Sequence, residues 1–66
     1  MLHITILKNT IYFNDLSDEL YNAIKTKYPK LAPAPNGKYQ YRIQGTQTDL
    51  YLILVDLSYT YDIEIS

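Results

Sequence analysis

The chain has 66 residues, a formal net charge of −1, eight tyrosines, and no cysteine or tryptophan. That length holds a single domain, 1–66, near the lower limit for unaided folding, and without cysteine neither a disulfide nor a thiolate metal site can reinforce it. A charge near zero gives no global attraction to nucleic acid or membranes, and the lone His3 leaves no nitrogen-rich metal cage.

Residues 2–7 read as a strand, with Leu2, Ile4 and Ile6 on one face and His3 and Thr5 on the other. Lys8-Asn9 suits a tight reversal, because asparagine tolerates the left-handed conformation. Thr10 to Phe13 then forms a short return strand. The clearest element is a helix from Ser17 to Tyr28. Ser17 is a suitable N-cap, Asp18 and Glu19 sit at the positive end of the helix dipole, and Leu16 and Tyr21 can form a hydrophobic staple. Leu20, Ala23, Ile24 and Tyr28 share one apolar face, Lys25 and Lys27 occupy the last turn, and Pro29 stops the helix.

From Pro29 to Gly37 the three prolines make an extended connector, with Leu31 tucked against the core and a turn at Asn36-Gly37. Lys38 to Gln44 alternates, placing Tyr39, Tyr41 and Ile43 on one side and Lys38, Gln40, Arg42 and Gln44 on the other. Gly45 to Asp49 reads as a hairpin loop. Pairing Gln44 with Leu50 across it sets Tyr39 opposite Val55, Tyr41 opposite Ile53, Ile43 opposite Tyr51 and Lys38 opposite Asp56.

Every odd position from Tyr51 to Ile65 is apolar or aromatic, which predicts β structure with one apolar face. An unbroken strand from Leu50 to Ile65 would span about 50 Å. A globule of this length is only about 30 Å across. A reversal near Asp56 to Tyr59 is therefore favoured, with a last strand from about Thr60 to Ile65. If unbroken, the ribbon must instead meet a second chain. The expected fold is α+β: one helix on an antiparallel sheet of four to five strands, in the order β-β-α-β-β-β. Its helix covers only one face. Tyr39, Tyr41, Ile43, Tyr51, Ile53 and Val55 are then left for the first hairpin to cover in a barrel-like closure, or for an interface.

Chemistry-bearing residues are sparse. His3 with a distant carboxylate has the elements of a general base, but a solvated strand histidine is the favoured reading. Asp62 and Glu64 lack a third ligand for a cation and read as a charged edge that discourages aggregation. Tyr39 and Tyr41 near Lys30, Lys38 and Arg42 suggest base stacking over a basic surface. That requires rings and cations on one face, whereas the alternation puts Lys38 and Arg42 opposite the tyrosines. Asp49, Asp56, Asp62 and Glu64 form a block without a base, too weak a field for a nucleic-acid mimic.

No catalytic, nucleotide, metal or cofactor motif is present, and a non-enzymatic protein is expected. MLHITILKNT lacks the build of a signal peptide, and the run Leu50 to Val55 is far short of a membrane span, so a cytoplasmic location is expected. In size and Tyr/Ile/Asn/Lys-rich composition the chain resembles the short accessory proteins of phages and mobile elements. That group includes anti-CRISPR and other anti-defence inhibitors, and the resemblance implies action by occluding a protein surface. The expected partner is a protein, with self-association as a dimer. The contacts are expected at Tyr39, Tyr41, Tyr51, Tyr59, Tyr61, Asp62 and Glu64, since tyrosine suits half-wet interface positions. A single-stranded nucleic-acid binder and a structural subunit of a larger assembly are the alternatives.

Overall fold

The two-residue reversal at Lys8-Asn9 sets the first register. Strands β1 (Leu2–Leu7) and β2 (Thr10–Asn14) pair antiparallel, with Leu7 opposite Thr10 and Ile4 opposite Phe13. Lys8, rather than Asn9, takes the left-handed conformation, with φ 54°. The computed structural model describes residues 2–35 and 37–66. Asn36 of the expected Asn36-Gly37 turn lies outside them, and Gly37 has φ 71°, the region where glycine carries no Cβ penalty.

Helix α1 (Asp18–Lys27) begins where its caps predict: the Ser17 hydroxyl oxygen accepts from the Leu20 N–H at 3.2 Å. It ends at Tyr28, whose N–H donates to the Ile24 carbonyl, just before Pro29. Ile24 faces the core with Leu20 and Tyr28 half-buried beside it, while Ala23, expected on the same face, is exposed. The Lys25 ammonium turns back and donates to the carbonyls of Pro29 and Leu31 at 2.8 and 2.7 Å, fastening the connector. Leu31 is fully buried, as expected.

The connector contributes a short edge strand, β3 (Ala32–Pro33), which pairs antiparallel with β4 (Tyr41–Gln44). Here the structure corrects the sequence reading. Strand β4 starts three residues later than expected and pairs with β2, Ile11 opposite Ile43, rather than with a following strand. The expected hairpin partners at 50–56 are helix α2 (Gln47–Thr60), and of the predicted ribbon Ile63–Ile65 forms a strand, β5. The chain order is β-β-α-β-β-α-β. The sheet order is β3-β4-β2-β1-β5, and it is mixed because β5 runs parallel to β1, with Leu2 opposite Ile63. The fold is α+β, without the purely antiparallel sheet expected.

The burial problem is solved by α2. Leu2 and Ile4 of β1, Ile11 and Phe13 of β2 and Ile43 of β4 point to one face of the sheet. They form one buried cluster with Leu16, Ile24, Leu31, Leu50 and Leu57. Both helices therefore cover the same face. The opposite face carries His3, Thr5, Tyr12, Asn14, Arg42, Gln44 and Glu64 and has no helix over it. Among the described residues no barrel-like closure forms. With extents of 28 × 27 × 23 Å, they leave no room for the straight ribbon and show no projecting arm.

Candidate functional site

Helix α2 is held at both ends by local signals. The Thr46 hydroxyl oxygen accepts from the Asp49 N–H at 3.1 Å, and Asp49 lies in the first turn, where its charge favours the dipole. Gly45 lets the chain enter closely, since a Cβ there would stand 3.3 Å from Asp49 Cβ. At the other end the Tyr61 N–H donates to the Leu57 carbonyl at 2.8 Å.

Between these ends the helix is apolar nearly all round. Leu50 and Leu57 are buried, with Ile53, Leu54 and Tyr61 half-buried beside them. The outward side carries Tyr51, Leu52, Val55 and Tyr59, spaced at i, i+1, i+4 and i+8 and so aligned in one stripe. Tyr51 is 66 % exposed, Leu52 59 % and Tyr59 86 %, with Val55 half-buried between them. From Tyr51 to Tyr59 the stripe runs about 12 Å along the axis. Asp49 and Asp62, both exposed, stand beyond its two ends.

A polar clamp fixes α2 against α1. The Lys27 ammonium lies 2.8 Å from Asp56 Oδ1 and 2.7 Å from Oδ2, and the Tyr28 hydroxyl donates to Oδ2. The hydrogen bond from Lys27, reinforced by the one from Tyr28, lowers the Asp56 pKa from its ordinary 3.8. Burial, and then the Asp56 carboxylate, push Tyr28 up to about 12. A lowered carboxyl contributes stability above its unfolded pKa and loses it as pH falls through the folded value. A raised phenol contributes below pH 10.0 and loses it as pH rises towards about 12. The melting temperature is therefore expected to fall below about pH 4. Asp56→Asn should flatten that acid limb in thermal melts taken from pH 7 downwards; an unchanged limb would show the clamp contributes nothing. The expected partner of Asp56 was Lys38; the actual one is Lys27.

Of the seven residues expected as partner contacts, Tyr51 and Tyr59 share the outer side of α2. Tyr61 packs against the core at the end of α2. Tyr41 is on the helix-covered side of the sheet, its ring 4.6 Å from that of Tyr21. Tyr39 precedes β4 and stacks on Tyr12, ring centroids 4.6 Å apart. Asp62 lies between α2 and β5, and its carbonyl accepts from the Leu2 N–H at 2.7 Å. Glu64 is on the open sheet face, its Oε1 3.4 Å from His3 Nδ1, both side chains about half exposed. Val55 was named with the uncovered sheet face, whereas Leu52 was not singled out as a member of an exposed stripe. The signal for them was Thr46-Gln47-Thr48-Asp49, a capping pattern directly ahead of an apolar run.

Among the described residues, no group of three potential metal ligands comes together, and no helix is long and apolar enough to cross a membrane. No protein-family model matches the chain, and neither the curated proteins nor the solved structures provide a match to it.

Proposed function

We propose that this is a non-catalytic binding protein that docks on a protein partner through the outer face of α2 and modulates or inhibits that partner by covering its surface. The observation that carries the reading is the Tyr51, Leu52, Val55 and Tyr59 stripe, left in water on a helix whose other side is already packed. A helix apolar all round calls for burial all round. Two tyrosines and a leucine on a capped, clamped helix supply large contact area with little side-chain freedom to lose, which suits interface anchors. The exposed Asp49 and Asp62 at the ends favour a partner whose apolar patch has a basic rim. Occlusion without chemistry is also how the phage and mobile-element inhibitors act whose size and composition the chain resembles.

The test compares the wild type with a Tyr51→Ser/Tyr59→Ser variant, both immobilised, for protein retained from a host lysate. Both substitutions are at exposed positions, so the two proteins should melt alike within about 0.5 kcal/mol. The wild type should retain a protein that the variant releases. Equal retention by both would sink the reading. Light scattering on the free protein distinguishes a second copy from a foreign partner: a dimer abolished by the variant identifies the partner as the chain itself.

A further inference from the structure

The face of the sheet away from the helices has its own chemistry. Tyr12 projects from β2 in the row Thr5, Tyr12, Arg42, Ala32, which crosses four strands. Tyr39 lies on Tyr12 with planes 27° apart, and the Lys38 ammonium is 5.6 Å from the Tyr39 centroid. Beside the rings, Lys30, Ala32, Arg42 and Gln44 border a concavity of about 260 Å³. The sequence pattern had separated rings from cations; the structure joins them, because Tyr39 leaves the strand alternation and folds over Tyr12.

The charge is sorted to match. Asp18, Glu19, Asp49 and Asp56 belong to the two helices, which cover the opposite face. Of the remaining acids, Glu64 is on the open face at the far β5 edge next to His3, Asp62 precedes β5, and the exposed Asp15 follows the end of β2. The β3–β4 half thus combines cations with aromatic rings, although the whole chain is slightly acidic.

We propose that this face binds single-stranded nucleic acid, a base stacking against the Tyr12–Tyr39 pair and neighbouring phosphates meeting Arg42, Lys30 and Lys38. Ring faces accept any base, and lysine and arginine beside them track the backbone, which is how sequence-tolerant single-strand binders are built. An acidic peptide would match the cations but bring no flat ring to the tyrosines. A duplex would hide its bases. The site shares no residue with the α2 stripe, so either can fail without the other.

Fluorescence polarisation of short labelled single strands, at about 50 mM salt and protein up to about 100 µM, tests the proposal. Binding should fall with salt at a log–log slope of about −2, the value for three phosphate contacts on a single strand. Arg42→Gln should reduce that slope by about 0.7. Tyr39→Ala should weaken binding about ten-fold, and Tyr39→Phe should restore it. Tyr51→Ser/Tyr59→Ser should bind like the wild type. Absence of salt-sensitive binding would overturn the proposal. So would affinities unchanged by both the Arg42 and Tyr39 substitutions. Equal competition by a duplex or a polyglutamate peptide would show charge attraction without stacking, and would overturn it too.

Discussion

Replacing Phe13 with alanine is expected to unfold most of the molecule at room temperature. Phe13 is the largest fully buried side chain and sits on β2, the central strand. It is paired with Ile4 of β1 on one side and Tyr41 of β4 on the other. Truncating a buried phenylalanine costs about 3–5 kcal/mol, because the lost transfer energy is compounded by the cavity left behind. A core at this chain length rarely supplies more than about 3–5 kcal/mol in total. The two figures are equal, so no margin remains. Circular dichroism should show loss of the cooperative transition, or a urea midpoint near zero. Leu7→Ala is the control: Leu7 is 50 % exposed on the open face, and its truncation should shift stability by no more than about 0.5 kcal/mol. A cooperative Phe13→Ala melt with a shift below about 1 kcal/mol would refute this placement of the core.

The elements legible in the sequence are those whose signals are local. The first hairpin follows from alternation on both sides of a polar dipeptide. Helix α1 follows from Ser17, the first-turn acids and Pro29, each acting within one turn of its own position. Leu31 is the one large aliphatic side chain in a connector of prolines and alanines, and burial is its natural outcome. The C-terminal third was not legible by alternation, and the reason is in its composition. Apolar residues at 51, 53, 55 and 57 satisfy period two, but Leu50, Leu52 and Leu54 are apolar as well. When nearly every position is apolar, both periods are satisfied and periodicity decides nothing. Leucine's helix preference and the Thr46 cap decide it instead. The pairing of β5 with β1 joins the two ends of the described chain, and no short-range pattern encodes such a contact.

The candidate site was legible by residue type and hidden by geometry. Tyr51 and Tyr59 were singled out as strand neighbours on one face. They do share a face, because a separation of eight residues returns to the same side of a helix as it does of a strand. Tyr61, two residues further on, would stay on that face in a strand. In the helix it turns to the core side. Tyr39 shows the converse: released from the strand by the late start of β4, it crosses to the face where Arg42 lies. Here Gln40 fixes the path, its side-chain Oε1 accepting from the Leu16 N–H at 2.9 Å and its own N–H donating to the Phe13 carbonyl.

Leu57→Ala and Tyr59→Ala should differ by about 2 kcal/mol or more, and that difference separates the two conformations of this segment. In the unbroken strand, the alternative to a reversal at Asp56 to Tyr59, Leu57 and Tyr59 are neighbours on one face, and their truncations should cost similar amounts. In helix α2 they are about 200° apart. Leu57 is 2 % exposed and packs within the cluster formed by Leu2, Ile4 and Ile24, so its truncation opens a cavity costing about 2–5 kcal/mol. Tyr59 is 86 % exposed. Alanine there loses almost no packing and gains helix propensity of up to about 0.7 kcal/mol, leaving stability unchanged or slightly raised. Urea unfolding of the two variants beside the wild type reads the difference directly, and equal costs would restore the strand. The same pair bears on function. If Tyr59→Ala keeps full stability yet releases the partner, the stripe contributes to contact and not to the core. A tyrosine left in water on a helix that needs nothing more from it for folding then has its explanation outside the molecule.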